Sequence, residues 1–247
     1  MERPRRAIKL PEVFLGMLSI AVAVVLIAGM AADTIRERRR DQETISVTGS
    51  ARRPISSNLV NWSLEVSTEA ARLPQAAQRL RSDVAGVRAF LIRGGIPVES
   101  ISLSVVTSEK LVEQLTKRRR RISYRVEQEL HVSTQQIDVV ERVAPTVGEL
   151  IARGVRVSPY RLAYISTELT HAKIEALDAA THETRKRAEI LVRGLGGKLG
   201  SLRSSSQGVF QVTPRNSTDV SDYGINDTST REKDVTAVVS ATFSVKR

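Results

Sequence analysis

Cysteine is absent from the 247 residues. That excludes disulfides, thiolate metal sites and cysteine nucleophiles together. Aromatic residues make up only 4%, so the interior has to be assembled from Val, Leu, Ile and Ala. Histidine occurs three times, at His131, His171 and His182. The last two fall on one expected helix, eleven residues apart, which is three turns and too far for one metal ion. His131 lies in an expected strand with no spaced partner. No Gly-x-Ser-x-Gly elbow occurs. Gly196-Gly197-Lys198-Leu199-Gly200 is too short for a phosphate loop and lacks the closing Lys-Ser/Thr pair. It also sits at a helix exit, the wrong end of the dipole for phosphate. The expectation is a chain without cofactor, metal or catalytic residues, and not an enzyme.

What the sequence does contain begins with Val13 to Ala32, twenty residues without a charge. About 20 apolar residues in a helix span the ~30 Å hydrocarbon core of a bilayer. Arg3, Arg5, Arg6 and Lys9 precede the run, and Arg36, Arg38, Arg39 and Arg40 follow it. The Lys/Arg count is equal on the two sides, so the positive-inside rule does not orient the segment. A secretory signal peptide is the competing interpretation, with Gly29-Met30-Ala31 as a poor cleavage site. The run is longer than the 7–15 residues of a signal core, which favours an uncleaved anchor. The division expected is a basic tail (1–12), a transmembrane anchor (13–32), a charged linker (33–43) and one domain (44–247). The domain is expected outside the cytoplasm, in the periplasm, on a single-pass inner-membrane protein.

Beyond the linker, hydrophobic periodicity alternates between two and three-to-four residues. Strands are expected at Thr44–Ser50, Val60–Val66, Ile101–Val105, Ile122–Val132, Val155–Ser166 and Val235–Val245. Leu73, Ala77, Leu80, Val84, Val87 and Leu91 mark a helix over about 71–93, stopped by Gly94-Gly95. A second helix, capped by Ser133 or Thr134, carries Ile137, Val140, Ala144, Val147 and Ile151. Pro145 should kink or split it. A third runs from about Thr170 to Leu195 on a stripe of Ile174, Leu177, Thr181, Thr184, Ala188, Leu191 and Leu195. Thr107–Arg121 is expected as the tip of a long hairpin, Leu199–Val212 as extended chain and 213–233 as a polar loop. The class is α+β, a largely antiparallel sheet with three helices packed on it.

Net charge is +11. Its sharpest concentration is Lys117-Arg118-Arg119-Arg120-Arg121. A solvated hairpin tip accounts for this run. Contact with anionic lipid headgroups or an acidic envelope polymer is the less favoured, functional alternative. Nucleic acid is not an expected partner, since no zinc knuckle, helix-turn-helix or aromatic platform accompanies the run. Asp219, Asp222, Asn226 and Asp227 gather around Gly224 in the polar loop. Their spacing does not follow the EF-hand rule, and a turn-rich loop explains them.

Taken in order, these elements resemble the SIMPL (DUF541) family of bacterial cell-envelope proteins, which includes periplasmic immunogenic proteins. The residues that carry the resemblance start with Val47-x-Gly49, then Gly94-Gly95-Ile96 with Ile101-x-Leu103, then Tyr124. Val147-Gly148-x-Leu150-Ile151 and Gly154 follow. Ala176, Ala180, Thr184 and Ala188 match the small-residue spacing of the family's third helix, before Leu195-Gly196 and Leu199-Gly200. Gln207-Gly208-Val209-Phe210-Gln211 and Ser221-Asp222-Tyr223-Gly224 are similar to a subgroup with one N-terminal membrane helix. Relatives often carry a Pro/Tyr hairpin where this chain has Lys117 to Arg121. The resemblance implies an envelope protein, homo-oligomeric in some members, with a link to oxidative-stress tolerance and no catalytic residues to transfer.

Overall fold

The structure, a computed structural model, describes residues 43–116 and 119–246. The expected anchor at 13–32 and the tail before it lie outside the described residues, as do Lys117 and Arg118. Among the described residues no helix is long and apolar enough to cross a membrane.

Among the described residues ten strands and four α-helices follow in chain order. They are β1 (Thr44–Ser56), β2 (Leu59–Ala70), α1 (Leu73–Arg93), β3 (Ile101–Leu103), β4 (Thr107–Thr116) and β5 (Arg119–Thr134). Next come α2 (Ile137–Val143), α3 (Gly148–Ala152), β6 (Val157–Ile165), α4 (Leu169–Gly194) and β7 (Lys198–Gln207). The last three are β8 (Gln211–Pro214), β9 (Ile225–Asn226) and β10 (Glu232–Lys246). The chain divides into two compact units. Among the described residues the larger holds 51–180 and 209–238, and the smaller holds 43–50, 181–208 and 239–246. β1, α4 and β10 each run from one unit into the other.

The larger unit is built on a five-stranded antiparallel sheet. β3, β5, β2 and β6 lie side by side, and β4 also pairs with β5. β2 alternates strictly between buried and half-buried residues. Val60, Trp62, Leu64 and Val66 face the core, opposite Val126, Leu130 and Val132 of β5. α1 contributes Ala76, Leu80, Val84, Val87 and Leu91 to the same core. Burying each such Val or Leu contributes about 1.5–3 kcal/mol. The helix ends as its glycines require: Gly95 has φ +98°, a left-handed position that favours glycine. β8 pairs antiparallel with the start of β10 and parallel with β9.

In the smaller unit the second half of β10 pairs with β7 and with β1. Thr48 and Ser240 join hydroxyls across the latter pair at 2.8 Å. A cluster of Val47, Ala188, Ala241 and Phe243 sits beneath the C-terminal half of α4. Thr184 donates to the Val239 carbonyl at 3.1 Å.

Several expectations change. Pro145 does split the second helix, into α2, a 3-10 turn over Ala144–Val147, and α3. Its expected caps do something else. Thr134 accepts from the Gln136 N–H at 3.1 Å, and Ser133 donates to Asn61. Thr107–Arg121 is not a tip. It forms all of β4 and the first three residues of β5, with ladder partners down to Thr116 and Arg119. The polar loop contains β9, and β1 runs six residues past Ser50, to Ser56. Among the described residues the one expected sheet is replaced by two five-stranded sheets.

The third helix buries Thr184 and Ala188 of the expected stripe, but its buried face follows the small-residue row rather than the large residues. Ala172, Ala176, Ala180, Thr184, Ala188 and Val192 are buried. Ile174, Leu191 and Leu195 are exposed, Leu195 at 84%. Close approach selects the row of small side chains over the row of large ones. At Gly49 a Cβ would lie within 2.7 Å of Thr184 main-chain atoms.

Candidate interaction surface

β4 and β5 form the part of the larger unit that reaches furthest from neighbouring strands. β2 pairs with β5 as far as Ala70 opposite Tyr124. Beyond that point, residues Arg119–Ser123 of β5 pair only with β4. At about 3.4 Å per residue, a two-stranded ribbon extends some 17 Å past the sheet. Nearly every residue of β4 is exposed, as are the first four of β5.

Register separates the two faces of the ribbon. Residues directly opposite in an antiparallel pair share a face. Lys110 stands opposite Tyr124, Val112 opposite Ile122, and Gln114 opposite Arg120. Arg120 Nε donates to Gln114 Oε1 at 3.1 Å. This face continues the core face of β5, because Ile122 and Tyr124 alternate in step with Val126, Leu130 and Val132. Its apolar side chains are exposed, Val112 at 54% and Ile122 at 47%. The opposite face pairs Glu109 with Arg125 and Glu113 with Arg121. There Ser123 donates to Glu69 at 2.6 Å. That hydrogen bond, against the opposing effect of burial and with help from Arg125, Arg156 and Arg121, holds the Glu69 carboxyl below its usual range.

Beside the ribbon, on its core-side face, α1 and β3 border a groove of about 460 Å³. Leu80, Leu103 and Val106 supply its apolar lining, and Arg81 and Arg88 its charge. Neither groove nor adjoining ribbon face carries a carboxylate among the residues that form it. Of the five basic residues singled out by sequence, Arg119, Arg120 and Arg121 lie at the free end of the ribbon. Lys117 and Arg118 lie outside the described residues. Sequence reasoning missed Lys110, Arg81, Arg88, Val112 and Ile122 as companions. Alternation through 110, 112 and 114 was the available signal.

The remaining candidates go elsewhere. His131 contacts Ser63 at 3.0 Å and Glu129 at 3.3 Å on the sheet surface. His171 faces Glu175 on α4 at 3.6 Å. Among the described residues no three His, Asp or Glu side chains gather as metal ligands. Asp227 is committed to its own turn, accepting from Ser229 N–H and from both hydroxyls of Ser229 and Thr230. Burial works to raise its pKa, but those hydrogen bonds and Lys233 outweigh it and the net shift is downward. Lys233 is 3% exposed and donates to the Tyr164 and Asp227 carbonyls at 2.7 and 2.6 Å. Burial lowers its pKa, and Asp227 opposes the shift. Sequence reasoning missed this lysine, which reads as one more charge in a polar loop. Gly196, at φ +80°, closes α4.

The fold is that of an α+β domain. The chain belongs to the SIMPL family: that family's model, described as a protein of unknown function (DUF541), matches residues 45–243. A search of curated proteins finds no match.

Proposed function

We propose that the chain is a non-catalytic protein of the bacterial cell envelope. Residues 13–32 tether it to the inner membrane and place the SIMPL domain on the far side, where it acts by self-association, in the setting of envelope or oxidative stress. The observation that carries this reading is the imbalance within the smaller unit. Among the described residues its buried apolar side chains are few, namely Val47, Ala188, Val192, Val239, Ala241 and Phe243. The same unit exposes Ile190, Leu191, Leu195 and Leu202. Ile190 and Leu191 are neighbours on the last turns of α4, and Leu195 follows directly on the end of the helix. A grouped exposed apolar patch of that kind marks a contact surface. β7 adds a sheet edge, since it pairs with β10 alone among the described strands. Fractionation of tagged full-length protein, with protease protection and mass measurement in detergent, tests this. A membrane-bound, externally protease-accessible, discrete oligomer is expected. Freely soluble full-length chain or a monomer in every detergent counts against it.

A second reading rests on Arg119, Arg120 and Arg121 at the ribbon's free end. Together with Lys117 and Arg118 they suit anionic lipid or an acidic envelope polymer. They also guard the edge of β5, because pairing two copies there would bring arginines together. Replacing Lys117 to Arg121 by Ser should abolish binding to anionic vesicles; unchanged binding removes this reading.

A further inference from the structure

The two faces of the β4–β5 ribbon differ in a way that the basic run alone does not reveal. On the core-side face stand Lys110, Val112, Arg120 and Ile122, with Tyr124 at its root. The groove beside it adds Arg81 and Arg88 over an apolar floor. The ribbon face thus sets two cations around Val112 and Ile122, the groove on the helix side sets two more over an apolar floor, and no carboxylate is among the residues named for either. The other face carries Glu69, Glu109, Glu113 and Glu127 beside Arg121 and Arg125. Glu69 there bonds to Ser123 and lies 3.9 Å from Arg125, so its charges are largely answered within the chain.

We infer that the core-side face of the ribbon, with the α1 groove, lies against the surface of an anionic phospholipid bilayer. Val112 and Ile122 enter the headgroup–acyl boundary, and Lys110, Arg120, Arg81 and Arg88 meet the phosphates. Three physical features favour lipid over a soluble polyanion. Two β-branched apolar side chains stand exposed between the cations, where an acidic polymer would leave them in water. Long Lys and Arg stems cover apolar surface while their heads reach the headgroups. Each basic residue near an anionic surface contributes about 1 kcal/mol, so four suffice for docking only when the chain is already held nearby. The inference thus rests on the tether proposed above, and it names which lipid-facing residues the tethered domain uses.

The test uses full-length chain reconstituted into phosphatidylcholine bilayers with or without phosphatidylglycerol. The chain has no cysteine, so Val112→Cys and Glu113→Cys each give a single nitroxide site, on opposite faces of the ribbon. With phosphatidylglycerol, the label at 112 should lose collisions with a water-soluble relaxant several-fold and gain collisions with oxygen. The label at 113 should stay aqueous. Lys110→Ser with Arg120→Ser should return the label at 112 to water. If 112 stays aqueous in both bilayers while carbonate fails to extract the chain, the lipid inference falls and the tether stands. If carbonate extracts the chain, the tether falls and the inference, which rests on it, falls with it. Burial of both labels at once, protection in neutral lipid alone, or protection by an acidic polysaccharide without lipid each overturns the inference.

Discussion

Gly49 of β1 stands where α4 passes so closely that a Cβ on it would lie 2.6 Å from the Thr184 nitrogen and 2.7 Å from its Cα. Main-chain atoms of a helix cannot turn aside as a side chain can. Gly49→Ala should therefore push helix and strand apart and cost about 1–3 kcal/mol, the usual range for overpacking. Gly86 is the internal control. It lies in the middle of α1 with nothing within 4 Å of its absent Cβ. Gly86→Ala should stabilise by about 0.5–1 kcal/mol. Urea denaturation of the two variants should give shifts of opposite sign. Equal shifts would mean that the approach of Thr184 is not what requires glycine.

Lys233 supports a second expectation. Its ammonium satisfies two buried carbonyls, Tyr164 O and Asp227 O. Lys233→Met keeps the apolar stem and removes the donors. Leaving a buried acceptor unsatisfied costs about 1–3 kcal/mol. The variant should lose at least that much in denaturant unfolding. A loss no greater than that of an exposed lysine such as Lys246 would show the carbonyls to be solvated when Lys233 is removed.

Much of this architecture is legible without coordinates. The alternation through Val60–Val66 and Val235–Val245 marks two strands whose buried faces are those expected. Pro145 marks the break between α2 and α3. Gly94-Gly95 and Gly196 mark helix exits. Periodicity fails where size and hydrophobicity conflict. On α4 the large residues suggested the buried face, yet close approach to β1 admits only the alanine row. Gly49 was the hint, since a glycine inside a strand signals a neighbouring backbone. The candidate surface was half legible. A run of five basic residues is visible to any reader, but the carboxylate-free face depends on register between β4 and β5, which no single strand displays. Lys233 was illegible for a similar reason: its partners lie 69 residues away at Tyr164 and in the turn of Asp227.

Acid sensitivity should trace in part to Asp227. Burial raises its pKa, the donors Ser229 and Thr230 with Lys233 lower it further, and the net value falls below the ordinary 3.8. A carboxyl with a depressed folded pKa contributes stability that is present in full above its unfolded pKa. That contribution is lost as pH falls below about 3.8 through the folded value. Asp227→Asn should remove it. The variant should be less stable than the parent near neutrality, and the gap should narrow as pH falls through that window. A gap that stays constant with pH would place the effect in lost geometry rather than in charge.

Self-association leads to the strictest expectation. Leu191, in the last turn of α4, and Leu195, just past its end, are exposed at 49% and 84%. Neither belongs to the buried cluster of Val47, Ala188, Ala241 and Phe243. Within one chain they are surface positions, where substitution usually changes stability by about 0.5 kcal/mol or less. Between chains they would sit at the centre of the contact, where a carboxylate would be buried without a partner and cost several kcal/mol. Leu191→Glu with Leu195→Glu should therefore leave the unfolding midpoint of the single chain almost unchanged while the mass in detergent drops to a smaller species. Leu191→Met with Leu195→Met, which keeps the apolar surface, should preserve the parent's mass. A parent and a Glu variant of equal mass would remove α4 from the interface. A Glu variant that unfolds would show that these leucines belong to the fold after all. Only a fall in mass with folding intact assigns the exposed face of α4 to a second copy.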